Sequence, residues 1–261
     1  MLTPDKKPTP KFDVLYYTAV DGRRFGWEVG AVNIVLISLF LNQPFYPLPW
    51  WALAITINIA LVRWLLLMHE LFHIQSHADA HPLIRLLLVP FTPVNIGYAE
   101  YRQLHMGHHR YAATADDPDA FHIRGGHLRS LLGALFFPEV STLKCLADPE
   151  IRINGPELMM RLALFVGLAW LGGAAFWSVW VWLRINYMIS IWVFFHHLHY
   201  RGGAYGTFAL PLPGVLASVL KRVYGKPVFY ATIHHDVHHR YPKVAAVNLP
   251  ALADEWRRDS Q

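Results

Sequence analysis

The 261-residue sequence is short of charged residues and of cysteine. Asp, Glu, Lys and Arg make up 16% of it, and 54% is hydrophobic, whereas soluble domains carry about 25% charged residues. The single cysteine, Cys145, excludes a disulfide scaffold. The aromatic content of 14% excludes intrinsic disorder, and the 18 prolines argue against a coiled coil. The composition is therefore typical of a membrane protein.

Two long stretches of the sequence are almost free of charged residues. Residues 29–68 contain only Arg63, and residues 162–195 contain only Arg184. Both stretches are much longer than the about 20 apolar residues that one transmembrane helix needs. Each stretch therefore has room for two helices that form a hairpin.

Helix-breaking residues divide both stretches. Three prolines lie within residues 42–51, and Gly172 is followed by Gly173. The pattern predicts an all-α integral membrane protein with four transmembrane helices in two hairpins, capped by a cytoplasmic layer of helices. The predicted spans lie near residues 27–44, 50–68, 157–176 and 177–198.

The distribution of Lys and Arg predicts the orientation in the membrane. Neither short hairpin loop contains Lys or Arg, whereas the N-terminal segment, residues 69–156 and residues 199–261 contain many. By the positive-inside rule, both termini and the middle segment are cytoplasmic. We expect one membrane domain over residues 1–261. The net charge of +5 then follows from topology, so no nucleic-acid partner is expected.

Histidine is the residue type with the most uneven distribution. All 16 histidines fall within residues 69–127 and 196–239, and each window begins where a predicted span reaches the cytoplasm. Neutral imidazole is the commonest metal ligand in proteins. A set of histidines confined to one side of the membrane therefore predicts a metal site.

Three histidine motifs have the spacing of one helix face. HxxxH begins at His69, and HxxHH begins at His105 and again at His235. Residues three and four apart lie side by side on a helix; His234 could replace His235, since it lies four residues before His238. The candidate ligands are His69, His73, His105, His108, His109, His235, His238 and His239. Eight rings exceed what one metal binds, so two metals fit better, and nitrogen ligands suit Fe, Zn, Cu or Ni.

The end of the fourth predicted span supplies a ninth candidate ligand. His196 and His199 are three residues apart and share a helix face. We expect only one of them to reach the metals.

The order HxxxH, HxxHH, HxxHH, with a hairpin before the first and third motifs, resembles the membrane-bound di-iron desaturase and hydroxylase superfamily over about residues 69–250. The resemblance implies two non-haem Fe ions held by His, O2 as co-substrate, and an external electron donor of the ferredoxin, rubredoxin or cytochrome b5 type. Alkane hydroxylases have His followed by Tyr at the end of the fourth span. This pattern matches His199 and Tyr200, so the resemblance favours His199 as the ninth ligand.

The resemblance also implies a reaction, namely oxidation of an unactivated C–H bond in a long apolar lipid. Acyl-chain desaturation is the first hypothesis. Residues 101–139 look like a stretch of carotenoid hydroxylases, and HELFH at 69–73 looks like the first motif of alkane hydroxylases. A carotenoid or alkane hydroxylase or ketolase is therefore the alternative. No catalytic residue is separable from the metal ligands.

Several side chains near the motifs are candidates to support the ligands. A metal-bound His usually donates its second ring N–H to a carboxylate or carbonyl oxygen. The candidates for such a supporting role are Glu70, Asp116, Asp236 and His196. Asp117 and Asp119 lie in the same region, and ordinary turn chemistry is the competing explanation for these aspartates.

Two further interpretations compete with a di-iron oxidase. HELFH at 69–73 also matches the HExxH zinc peptidase motif, with Glu70 as general base, but one zinc uses three protein ligands and leaves the other motifs without a role. A metal carrier needs ligands inside the membrane, and the two apolar stretches contain no His. Arg184, inside the fourth predicted span, is a candidate contact for a polar substrate end, or alternatively extends to the interface.

Overall fold

The structure is a computed structural model that describes residues 16–76, 78–85 and 92–259. Its longer helices are α1 (Ala19–Asn42), α2 (Trp50–Ile74), α4 (Tyr98–Tyr111), α6 (His127–Leu135), α7 (Phe137–Ala147), α8 (Gly155–Ile191), α10 (Gly214–Tyr224), α11 (Lys226–Ile233) and α13 (Leu249–Asp259). The shorter ones are α3 (Pro82–Arg85), α5 (Ala120–Ile123), α9 (His197–His199) and α12 (His235–Arg240). Besides these there are a π-helix (Trp192–His196), a 3-10 helix (Ala246–Asn248) and an antiparallel ribbon of β1 (Tyr200–Arg201) and β2 (Ala204–Tyr205).

Three helical runs of the described chain are long and apolar enough to cross a membrane, namely Ala19–Asn42, Trp50–Ile74 and Gly155–His199. Helix α1 begins at Ala19 rather than at residue 27, because Thr18 and Asp21 form a capping box that satisfies the first backbone N–H groups. Helix α2 continues past residue 68. The HxxxH motif therefore lies on the last turns of α2 itself.

The third run bends sharply at Gly173, where φ is 52° and ψ is −131°. The rings of Phe165 and Phe176 are 5.3 Å apart, whereas eleven residues of continuous helix extend about 16 Å. The break lies at Gly173 and not between residues 176 and 177 as predicted, because only glycine adopts this backbone conformation readily.

Both ends of this run contact the helices that carry histidine, and its middle does not. Near its start, the backbone N–H of Asn154 donates to Glu100 of α4. At its end, His199 contacts His235 of α12. Gly172, in the middle, lies against the far end of α1 at Phe40.

Helices α1, α2 and α8 pack around one apolar core. Val29, Ile57, Leu61, Phe176 and Leu183 are among its fully buried members. The opposite faces of the same helices expose large apolar side chains, such as Trp170 at 81% exposure and Ile34 at 65%. In water such faces would be unfavourable, so they agree with a hydrocarbon environment.

The one charge in the first apolar stretch is paired. Arg63 of α2 donates to Glu28 of α1 and to the backbone carbonyl of Tyr224, at the end of α10. The Tyr224 hydroxyl in turn donates to Asn58, 2.6 Å away. These contacts attach the α10–α11 junction to the first two long helices.

The start of the described chain is joined to its end, because Tyr16 pairs with Val244 and the N–H of Ala246 donates to the Tyr17 hydroxyl. Helix α10 has no buried residue, and it exposes Val215 at 81%.

Candidate metal centre

The structure brings together nine histidines that lie far apart in the sequence. They are supplied by helices α2, α4, α9 and α12. The nine are His69 and His73, His105, His108 and His109, His199, and His235, His238 and His239. Helical spacing alone places each motif's rings on one face, and packing of the four helices then makes the faces converge.

The rings divide into two sets of four, each with one ring nitrogen per residue within 4.8 Å of the others. The first set is His69, His73, His105 and His109, and the second is His108, His199, His235 and His239. Nε2 of His73 lies 2.9 Å from Nε2 of His105, and the Nε2 atoms of His199 and His235 are 3.0 Å apart. Two nitrogens bound to one metal at about 2.1 Å are roughly 3.0–3.4 Å apart. The geometry therefore fits one ion in each set.

His238 extends the first set. Its ring centroid lies 4.6 Å from that of His69, 4.8 Å from that of His73 and 4.9 Å from that of His109. The first set then offers five ligands and the second offers four. His235 rather than His234 belongs to the second set.

Several ring nitrogens in these sets are buried and have no hydrogen-bond partner among the described residues. They are Nε2 of His108 and both ring nitrogens of His109, His238 and His239. Nine-tenths or more of buried polar groups in native proteins are paired. Lone pairs of buried imidazoles that point at one another fit a metal cation, and a donor set built from nitrogen fits iron.

Burial keeps most of these rings neutral, which is the form that binds a metal. Desolvation, followed by the proximity of other imidazoles, lowers the pKa of His105, His109, His235, His238 and His239 well below its ordinary value. The lowered pKa of these five rings favours the neutral form, in which one ring nitrogen carries no proton.

His108 is oriented by a buried carboxylate. Its Nδ1 lies 2.9 Å from Asp117 Oδ2, and the N–H groups of Ala113 and Asp119 donate to the same carboxylate. Burial alone would lower the pKa of His108, but the hydrogen bond and the charge of Asp117 raise it. The residue that supports the ligand is thus Asp117, whereas the predicted Asp116 is exposed. No sequence signal separates the two, because the choice depends on how the 112–119 turn folds.

Two other ligands are oriented by neighbouring acceptors. Glu70, fully buried, places Oε1 2.8 Å from Nδ1 of His69. Nδ1 of His199 donates to the carbonyl of Gly206, 2.9 Å away. Gly206 directly follows β2, and no local sequence pattern indicates this contact.

The structure places two predicted supporting residues elsewhere. The π-helix rotates His196 away from the nine rings, and its Nδ1 donates to the carbonyl of Ile123 while its Nε2 faces His127 Nδ1 at 2.9 Å. Asp236 is half-buried, and its Oδ1 has no hydrogen-bond partner among the described residues. Neither His196 nor Asp236 is therefore described as bonding to one of the nine rings.

Arg184 forms contacts with the α6–α7 segment. Its guanidinium forms an ion pair with Glu139 at 3.0 Å and also donates to the carbonyl of Leu135. It ties the α6–α7 bend to α8 and does not line the apolar cavity described next. In the structure Arg184 contacts Glu139 and Leu135, and its contact with a polar substrate end stays a prediction.

An apolar cavity of about 110 Å³ opens onto both sets of histidines. Four of the rings reach it, those of His69 and His105 from the first set and those of His108 and His235 from the second. Its remaining walls come mainly from α2, α4, α11 and the end of the Gly155–His199 run. They include Trp64, Met68, Phe72, Phe137, Tyr187 and Ile191.

A second opening reaches the histidine cluster and has more polar lining residues than the apolar cavity. It is a polar groove of about 670 Å³, and His73 is the candidate ligand that lines it. Arg23, Lys243, Asp79 and Tyr16 also line it. One ligand set is thus reached from an apolar cavity and from a polar groove that have no lining residue in common.

Comparison with known proteins agrees with this site. The family model described as fatty acid desaturase matches residues 48–261, which include all nine histidines. Comparison with curated proteins and with solved structures found no significant match.

Proposed function

Because the chain belongs to the fatty acid desaturase family, an integral membrane family of oxidoreductases, we propose that it is an O2-dependent di-iron oxidase that desaturates the acyl chain of a lipid. One observation carries the proposal. Two sets of histidines, each suited to one metal ion, line a cavity whose other lining side chains are mostly apolar. A hydrocarbon segment in that cavity would lie against both sets.

When bound, two irons would supply the oxidising chemistry that removes hydrogen from an unactivated CH2 group, with O2 and external electrons. The side chains bind the substrate and position the metal ligands. Apolar walls such as Phe72 and Ile191 hold the chain and exclude water. Asp117 and Glu70 fix the ring orientation of the ligands His108 and His69, which keeps each metal-binding nitrogen aimed at its set.

We further propose that the Gly155–His199 run crosses the membrane twice, so that the chain has four spans in two hairpins. The contacts of Asn154 and His199 with the histidine-bearing helices support this, as does the proximity of Phe165 and Phe176. With the positive-inside pattern of Lys and Arg, both termini and the metal centre face the cytoplasm.

The zinc peptidase alternative is disfavoured by two observations. His69 and His73 share their set with His105 and His109, whereas a catalytic zinc keeps three protein ligands and an open position. Glu70 is fully buried against His69 and does not line the cavity.

The test combines metal analysis with lipid analysis. Detergent-purified protein is expected to hold about two irons per chain. Cells that express it are expected to gain a lipid with a new double bond. His73→Ala and His235→Ala each should lower the iron content and abolish the new lipid, whereas the control His81→Ala, at an exposed histidine, should do neither.

The same experiment separates the alternatives. A new hydroxyl or keto group without a double bond would replace desaturation by hydroxylation, with an alkane or a carotenoid as substrate. One zinc and no iron in iron-rich medium, together with peptide cleavage that Glu70→Gln abolishes, would contradict the oxidase altogether.

A further inference from the structure

We propose that the polar groove beside His73 is the docking surface for an acidic one-electron carrier protein that reduces the metal centre. This inference rests on the proposed function, which requires electrons from outside the chain. Introducing one double bond with O2 yields two water molecules. Two of the four electrons come from the lipid, so a carrier must deliver two more in two one-electron steps, with two protons.

The position of the groove fits this role. His73 lines the groove, and its Nε2 lies 2.9 Å from Nε2 of His105 within the first set. A carrier seated there would be separated from the metal by one ligand ring. The apolar cavity does not share this wall, so the lipid would not obstruct the carrier.

The charges at the groove select an acidic partner. Arg23 and Lys243 are exposed and stand at its rim, against one carboxylate, Asp79. That carboxylate accepts hydrogen bonds from the hydroxyl and the backbone of the turn that begins at Ser76, so it is held within its own turn. Interfaces use such charge complementarity to speed encounter and set register.

An alternative occupant, a metal ion on its way to the centre, is disfavoured by the same charges. Two cations beside the entrance repel Fe²⁺. The exposed side chain of Tyr16 also lines the groove. Aromatic and Arg side chains are enriched where proteins bind each other. A protein surface therefore suits the groove better than a small cation does.

The experiment measures binding and turnover separately, in uncharged dodecyl maltoside micelles that remove anionic lipid. The probe is oxidised plant-type ferredoxin, whose Kd for the iron-loaded protein is measured at low and at high salt. The double variant Arg23→Glu/Lys243→Glu is expected to raise that Kd, and the KM for ferredoxin, about tenfold or more. Its kcat at saturating ferredoxin, and its turnover with dithionite as reductant, should stay within about twofold of the original protein.

Two further variants sharpen the result. Arg152→Glu reverses an exposed cation outside the groove and should leave the Kd unchanged. Arg23→Gln/Lys243→Gln should give an intermediate Kd. An unchanged Kd in the double reversal, or an equal rise in Arg152→Glu, would overturn the docking surface. Absence of lipid product with dithionite in the original protein would instead contradict the proposed function, whatever the Kd.

Discussion

Asp116 and Asp117 are neighbours in the sequence with opposite environments. Asp116 is exposed to solvent, whereas Asp117 is 3% exposed and accepts hydrogen bonds from a ligand ring and from two backbone N–H groups. The burial of a carboxylate is costly unless it is hydrogen-bonded and faces a positive charge. The metal that His108 would bind supplies such a charge through the ring.

Asp117→Asn should therefore weaken metal binding with little change in fold. Loss of a hydrogen-bonding carboxylate behind a metal-bound His typically costs about 10–100-fold in metal affinity or activity. We expect a loss of that size in iron affinity, measured by competition with a chelator, together with a fall in lipid oxidation. Asp116→Asn is the matched control and should behave as the original protein. Equal losses of iron affinity in both variants would show that the loss of one negative charge, and not the hydrogen bond to His108, causes the effect.

Among the helices, the Gly155–His199 run depends most on two irregular positions. Gly173 allows the sharp bend in its middle. The π-helix Trp192–His196 near its end turns His199 into the second ligand set and directs His196 outward. Single π-turns of this kind often mark functional sites.

Gly173→Ala should destabilise the protein through the backbone alone. An added Cβ would meet nothing within 4 Å, but the backbone conformation strains any other residue by roughly 1–3 kcal/mol. We expect a fall of several degrees in the Tm measured in dodecyl maltoside. Gly167→Ala also adds its Cβ to open space, within regular helix, and should leave the Tm unchanged or raise it slightly. Equal Tm values for the two variants would contradict the strain at Gly173.

These elements show which features a sequence can predict. The length of the apolar stretches predicted the long helices, because a span needs about 20 apolar residues. The histidine faces were predicted from the helical period of 3.6 residues. Thr18 and Asp21 also have the spacing of a capping box, and this pattern predicts that α1 begins at residue 19. The π-helix, the carbonyl of Gly206 and the choice of Asp117 over Asp116 depend on packing between distant segments, which leaves no local pattern.

At the scale of the whole molecule, the metal centre joins segments that are otherwise separate. Its histidines come from α2, α4, α9 and α12, so bound metal would link the long helix α2 to three shorter helices. Such linkage makes metal binding part of the folding free energy.

Removal of iron should therefore lower the thermal stability. An ion present at about 100 times its Kd contributes about 2.7 kcal/mol, which corresponds to about 5–10 °C in Tm for a chain of this size. Treatment with a strong Fe(II) chelator should lower the Tm by that amount, and added Fe(II) should restore it. His73→Ala should show a smaller drop; a chelator that left the Tm unchanged would argue against metal in the folded state.

The orientation in the membrane can be checked with single cysteines, because the one natural thiol, Cys145, is buried. Phe45→Cys lies in the loop between α1 and α2, where the native ring is 74% exposed. Glu150→Cys lies in the middle segment and is exposed. A membrane-impermeant maleimide should label Phe45→Cys in intact cells and label Glu150→Cys only after permeabilisation. The opposite pattern would reverse the proposed topology.

The apolar cavity and the polar groove meet the same ligand set without a shared wall, and this separation has a kinetic consequence. Lipid and electron carrier could occupy the protein together, so neither would have to leave before the other arrives. Initial rates measured against both should give intersecting double-reciprocal lines rather than parallel ones. Oxidised carrier should compete with reduced carrier and not with the lipid.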